Sequence, residues 1–117
     1  MNLAFPHAVI AGDFIFVSGT PGIDPATGKI ATSSFEMQAM QAFENLRTIL
    51  EEAGSGLDKV VKTTIYMVHD CDHDFKIINK VYSDFFPTNP PARSAPQVMP
   101  FPGGILISVE CIAYRTT

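Results

Sequence analysis

Tryptophan is absent from the chain, cysteine occurs only twice, and no lysine or arginine run exists anywhere along it. Each scarcity excludes something. Cys71 and Cys111 fall short of a disulfide framework for 117 residues, which points to a reducing compartment, with the cytoplasm as the expectation. Eight Lys and Arg against twelve Asp and Glu give a formal net charge of −4, so the clustered cations that displace counterions from a nucleic acid are missing, and no nucleic-acid partner is expected. The apolar N-terminal stretch is cut by Pro6 and by Gly12-Asp13 and lacks a basic leader, so neither a signal peptide nor a membrane span is expected.

What is present is an ordinary globular composition, 46% hydrophobic and 17% charged, read as one domain over residues 1–117. Ala8-Val9-Ile10 and Phe14 to Ser18 are β-prone runs around Ala11-Gly12-Asp13, the pattern of a hairpin. A turn-rich loop follows through Asp24-Pro25-Ala26-Thr27-Gly28-Lys29. Its glycines lack P-loop spacing, and Ile30 stands where a P-loop carries the magnesium-binding hydroxyl. From Ser33, the apolar residues Ala39, Ala42, Phe43, Leu46, Ile49, Leu50 and Ala53 recur at helical spacing. A Ser33/Glu36 capping box and Gly54 at the far end predict a helix over 34–53. Val60 to Val68 is rich in β-branched residues and predicts a central strand.

His69-x-Cys71-x-His73, interleaved with Asp70, Asp72 and Asp74, is the densest set of metal-ligand types. The residues after it, Phe75, Ile78, Val81, Tyr82 and Phe85, keep a helical period, so the aspartates are read as caps of a helix over 73–86 and no metal site is expected. Pro87, Pro90 and Pro91 end that helix and lead into an extended Arg93 segment. In the last strand, Ile105, Ile107, Val109, Cys111 and Ala113 form an apolar face. Leu106, Ser108, Glu110, Ile112 and Tyr114 form a mixed one. Two helices cover one side of such a sheet, which leaves the mixed side for a neighbouring subunit.

Arg93 and Glu110 stand out. A proline-flanked guanidinium is a rigid fork for a carboxylate, and an acid among apolar neighbours needs a partner or a changed proton affinity. The competing reading is a structural ion pair between the two.

Phe16-Val17-Ser18-Gly19, Glu52-Ala53-Gly54, Val61-Lys62-Thr63-Thr64, Asn79-Lys80-Val81-Tyr82, Pro91-Ala92-Arg93-Ser94 and Val109-Glu110-Cys111-Ile112-Ala113 together resemble the RidA family, also called the YjgF-type or reactive-intermediate deaminase family. The resemblance implies an α+β, chorismate-mutase-like subunit, a mixed sheet with two helices on one face, assembled as a homotrimer with clefts between subunits. It places Arg93 on the carboxylate of a small 2-imino or 2-oxo acid and Glu110 on a water, with Ser18, Gly19, Asn79, Ala95 and Phe5 lining the cleft. In that fold the Arg93 and Glu110 strands are not sheet neighbours, and the two residues are expected to meet across a subunit boundary. The implied activity is hydrolysis of 2-imino and enamine acids to 2-oxo acids and ammonia, with no cofactor. Two departures stand inside the pattern: Ala95 where the family often has cysteine, and Phe5 where many members have tyrosine. The alternatives are a metabolite-binding module without turnover and, against the charge balance, an RNA-cleaving activity.

Overall fold

A computed structural model describes residues 5–115; the Met1–Ala4 part of the N-terminal stretch lies outside the described residues. The chain runs β1 (Ala8–Ala11), β2 (Phe14–Pro21), β3 (Ile23–Asp24), β4 (Lys29–Ile30), α1 (Phe35–Glu52), β5 (Val60–Val68), α2 (Lys76–Phe85), β6 (Ala92–Ser94), β7 (Gln97–Val98) and β8 (Ile107–Tyr114). The main sheet has the order β1-β2-β8-β5-β6, with β7 also pairing β5. Strands β6 and β7 join β5 in parallel and the other pairs are antiparallel, so the sheet is mixed. The β5 strand is flanked on both sides, the central place its unbroken β-branched run requires.

Alternation builds the core. Ile15, Val17, Ile65, Met67, Ile107, Val109, Cys111 and Ala113 point to one face and pack against Ala39, Phe43, Leu46 and Leu50 of α1 and Ile78, Val81 and Tyr82 of α2. Phe43 sits at the centre, stacked on Phe85 at 5.4 Å and edge-on to Tyr82 and Phe86 at 6.0 Å. Each fully buried side chain of this size contributes roughly 1.5–3 kcal/mol of apolar transfer. Gln38 and Thr63 are polar residues fully enclosed with them. Gln38 donates its amide to the carbonyls of Thr32 and Gly104 and accepts from the Leu106 N–H at 2.9 Å, which ties the loop before β8 to α1.

Several local expectations shift. The cap of α1 is Ser34, whose hydroxyl accepts from the Met37 N–H, in place of Ser33; Glu36 lies too early to close the reciprocal box and pairs with Lys80 of α2 at 3.2 Å. Helix α2 begins at Lys76 because Asp70 and Phe75 adopt left-handed backbone (φ 65° and 62°). Asp72 and Asp74 do serve as acceptors for its first turn: the Asp72 carboxylate takes the Ile77 and Ile78 N–H groups at 3.2 and 2.7 Å, and Asp74 takes that of Lys76. The loop expected through Asp24–Lys29 is the turn of a short hairpin, closed by the pairing of β3 with β4. At Gly22 any side chain would strike the Gln38 carbonyl, so glycine lets this hairpin lie against α1.

Candidate active site

Glu110 lies on β8 opposite Thr64 of β5, and Ser108 lies opposite Tyr66. Its side chain therefore leaves the sheet on the face that no helix covers, beside Tyr66, whose hydroxyl donates to Glu110 Oε1 at 2.8 Å. On the other side of β8, the register with β2 slips between Val17–Cys111 and Thr20–Val109, so Ser18 and Gly19 together oppose Glu110. That is a β-bulge, which takes backbone groups out of the ladder and bends the strand toward its neighbour. At Gly19 a Cβ would fall 2.8 Å from the Ser108 hydroxyl, so any side chain there would displace that hydroxyl. Ser18 holds the incoming chain, donating its hydroxyl to the Pro6 carbonyl at 2.7 Å and its N–H to the His7 carbonyl. The open face thus gathers Glu110, Tyr66, Thr64, Ser18 and Gly19 around one carboxylate.

Arg93 is elsewhere. It pairs in register with Thr63, the neighbour of Thr64 on the opposite face of β5. The Thr63 side chain is fully buried on the helix side and shares a 2.9 Å hydrogen bond with the Tyr82 hydroxyl. The Arg93 guanidinium sits 4.9 Å from the centroid of the Tyr82 ring, a cation–π contact that holds it at the sheet edge. Burial raises the Tyr82 phenol above its ordinary value, opposed by the Thr63 hydrogen bond and the Arg93 charge. Asn79 is one turn earlier on α2 and shares the flank that Tyr82 presents. Among the described residues, no carboxylate lies within ion-pair distance of Arg93 or cation within that distance of Glu110, so the structural pair weighed from the sequence does not form within the chain. The sheet itself separates the two groups.

The other expected site residues, Phe5 and Ala95, lie apart from these two groups. Phe5 is 54% exposed and, with Gly19, Pro21, Ile23 and Ile49, lines a groove of about 460 Å³. Ala95 follows β6 and packs against the core. A second groove of about 520 Å³, between Arg47, Glu51, Asp58 and Phe85, includes neither Arg93 nor Glu110. In the His69–Asp74 segment, His69 Nδ1 meets Gln97 Oε1 at 2.9 Å and His73 is 3.8 Å from Asp70. Among the described residues, no three side chains of metal-ligating type converge. Tyr66 and Thr64 are the residues of the open-face cluster that the sequence reading missed, and of the two Tyr66 makes the hydrogen bond to Glu110. The alternation Lys62, Thr64, Tyr66 on β5 contained the signal, and only the β5–β8 register turns it into contact with Glu110.

The family model described as Endoribonuclease L-PSP matches residues 2–115. The chain belongs to that family, which is the RidA or YjgF family. A RutC family protein of Pyrococcus abyssi is 43% identical over 95% of this chain and 86% of its own. The rat protein named 2-iminobutanoate/2-iminopropanoate deaminase is 39% identical over 96% of this chain and 80% of its own. Among solved structures, RidA from an Antarctic Psychrobacter superposes with a TM-score of 0.88 at 35% identity, covering 95% of this chain and 88% of that one. RidA-family membership thus accounts for the mixed α+β sheet with its two helices on one face.

Proposed function

We propose that this RidA-family chain hydrolyses reactive 2-imino and enamine acids to 2-oxo acids and ammonia, in clefts completed between copies of itself. The observation that carries the reading is the separation just described. Arg93 is held at one edge on the helix side and Glu110 stands on the open face, so a substrate spanning both needs the Arg93 edge of one protomer against the Glu110 face of the next. The open face is built for such a contact, since Val9, Phe14, Phe16 and Tyr114 remain exposed on it or at its rim. A cyclic assembly closes when each protomer offers both surfaces, and a homotrimer with a chorismate-mutase-like subunit is the form expected.

The chemistry suits these groups. The guanidinium of Arg93 takes the substrate carboxylate through two parallel hydrogen bonds and fixes the imine carbon. A water beside Glu110 loses a proton to the carboxylate as its oxygen bonds to the protonated imine carbon, whose C=N electron pair moves to nitrogen. Glu110 then returns that proton to the nitrogen of the carbinolamine. The C–N bond breaks, the hydroxyl proton leaves with the ammonia, and the products are a 2-oxo acid and ammonium. Ser18 and the Gly19 bulge border this water, while Phe5, Ala95 and Asn79 wall the space for the substrate's side chain. The reaction as written draws only on water and the protein's own groups. A cytoplasmic setting is the expectation, since such imines leave the enzymes that form them and hydrolyse in the same compartment.

The family description raises a second reading, cleavage of RNA. The formal charge of −4 and the absence of a lysine or arginine run count against it, because phosphate binding draws on clustered cations. A non-catalytic module that binds small carboxylates would use Arg93 alone and leaves Glu110 without a task. The test is to generate 2-aminoacrylate from serine with a pyridoxal-phosphate-dependent dehydratase and follow pyruvate. The wild type accelerates release and Arg93→Ala does not, a loss of roughly 10³-fold for two charge-assisted hydrogen bonds. Equal rates from both proteins would remove Arg93 from the site. No acceleration, with 2-oxo acids still bound, would favour the binding module.

A further inference from the structure

We infer that Tyr66 is a positioning residue for Glu110, fixing the carboxylate so that one oxygen is turned to water; this rests on the deaminase reading. The geometry is specific. Tyr66 and Glu110 are diagonal neighbours on adjacent antiparallel strands, close enough for an aromatic side chain to span. The Tyr66 hydroxyl reaches Oε1 at 2.8 Å and leaves Oε2 with no protein donor among the described residues. The other polar groups on that face are committed elsewhere or too short to substitute. The Lys62 ammonium is held by the Thr63 carbonyl and the Ser94 hydroxyl, each at 3.0 Å, and the Ser18 hydroxyl is held by the Pro6 carbonyl. A glutamate has three rotatable bonds, and a general base must hold its oxygen within hydrogen-bond reach of the water. The phenol supplies that constraint from a rigid ring on the central strand. Its hydrogen bond to Glu110 raises the Tyr66 phenol above its ordinary value, so it remains a donor through neutral pH.

Because Tyr66 acts through Glu110 and Arg93 binds substrate, its removal separates rate from binding. For Tyr66→Phe, which keeps the ring, kcat falls roughly tenfold, the worth of one hydrogen bond to a charged group, while KM stays within about twofold. In the Glu110→Gln background the same change has no further effect, since the base is already gone. A readout independent of turnover accompanies these: tyrosinate absorbance followed against pH in folded protein. Glu110→Gln brings the Tyr66 titration, identified by its loss in Tyr66→Phe, down toward the ordinary phenol range. The inference is overturned if Tyr66→Phe keeps the wild-type kcat, if its effect falls on KM, if the two substitutions add, or if the Tyr66 titration ignores Glu110→Gln. Absence of imine turnover by the wild-type protein overturns the deaminase reading and the positioning role together. Wild-type turnover with an unaffected Tyr66→Phe variant overturns the positioning role alone.

Discussion

Strand β8 shows two different faces to two different environments. Ile107, Val109, Cys111 and Ala113 are at most 4% exposed under the helices, while Ser108, Glu110 and Ile112 stand half-buried on the open side and Tyr114 is 41% exposed. On the helix side the buried side chains among the described residues find their partners within the chain: apolar residues interlock, the Thr63 hydroxyl meets Tyr82, and the Gln38 amide is satisfied on both ends. On the open side one carboxylate is supported by one phenol beside a bulge, and apolar side chains remain uncovered. The first face is complete in a single copy and holds the fold. In the proposed reading the second is half of a site, whose other half, Arg93, lies on the strand at the far edge of the sheet.

The contrast breaks most visibly under truncation of the core. Phe43→Ala removes the ring that Tyr82, Phe85 and Phe86 surround and lowers unfolding free energy by about 3–5 kcal/mol in chemical denaturation, with turnover per folded molecule unchanged. A loss below 1 kcal/mol would mean that the helix face is not the stabilising one. On the open face the effects exchange places. Glu110→Gln slows imine hydrolysis by about 10²-fold, equivalent to roughly 2.7 kcal/mol of barrier, and leaves the denaturation midpoint and carboxylate binding where they were. An unaltered rate would make Glu110 structural.

The smallest effect sharpens the same comparison through pH. Burial pushes the Cys111 thiol up from 9.0 to about 12, with the Glu110 charge adding to the rise. Below pH 9 the folded and unfolded chains both keep that proton and the contribution to stability is complete. Between 9 and about 12 the unfolded chain alone loses it, so stability falls as pH rises, by roughly 1 kcal/mol across the first unit. Denaturation midpoints measured on either side of pH 9 read this directly. In folded protein a thiol reagent modifies Cys71, which is only partly buried, and spares Cys111 until the chain unfolds.

Local order was readable wherever the signal is local. The Val60–Val68 strand, the α1 stripe and the two faces of β8 follow from periodicity within a single element. The cap at Ser34, the start of α2 and the β3–β4 hairpin turn on single backbone angles, which several sequences satisfy equally well. Arg93 and Glu110 were legible as chemistry, because a proline-fixed guanidinium and an acid in an apolar strand are conspicuous in any chain. Their sides were not. Whether Arg93 falls beside Thr63 or Thr64 depends on the parallel register of β6 on β5, and a shift of one residue would reverse its face. Tyr66 was hidden for the same reason, since its contact with Glu110 exists only in the β5–β8 register.

The central claim, that a working site takes Arg93 from one protomer and Glu110 from another, is tested most directly by subunit mixing. Arg93→Ala and Glu110→Gln, each slowed by about 10²-fold or more as a pure assembly, are unfolded together in equal amounts and refolded. In any ring with one such site per interface, random assortment gives about a quarter of the sites both native residues, so about a quarter of wild-type turnover returns. If the mixture shows no more activity than the two variants refolded separately, although mass measurement confirms mixed assemblies, both residues serve a site within one chain and the account is wrong.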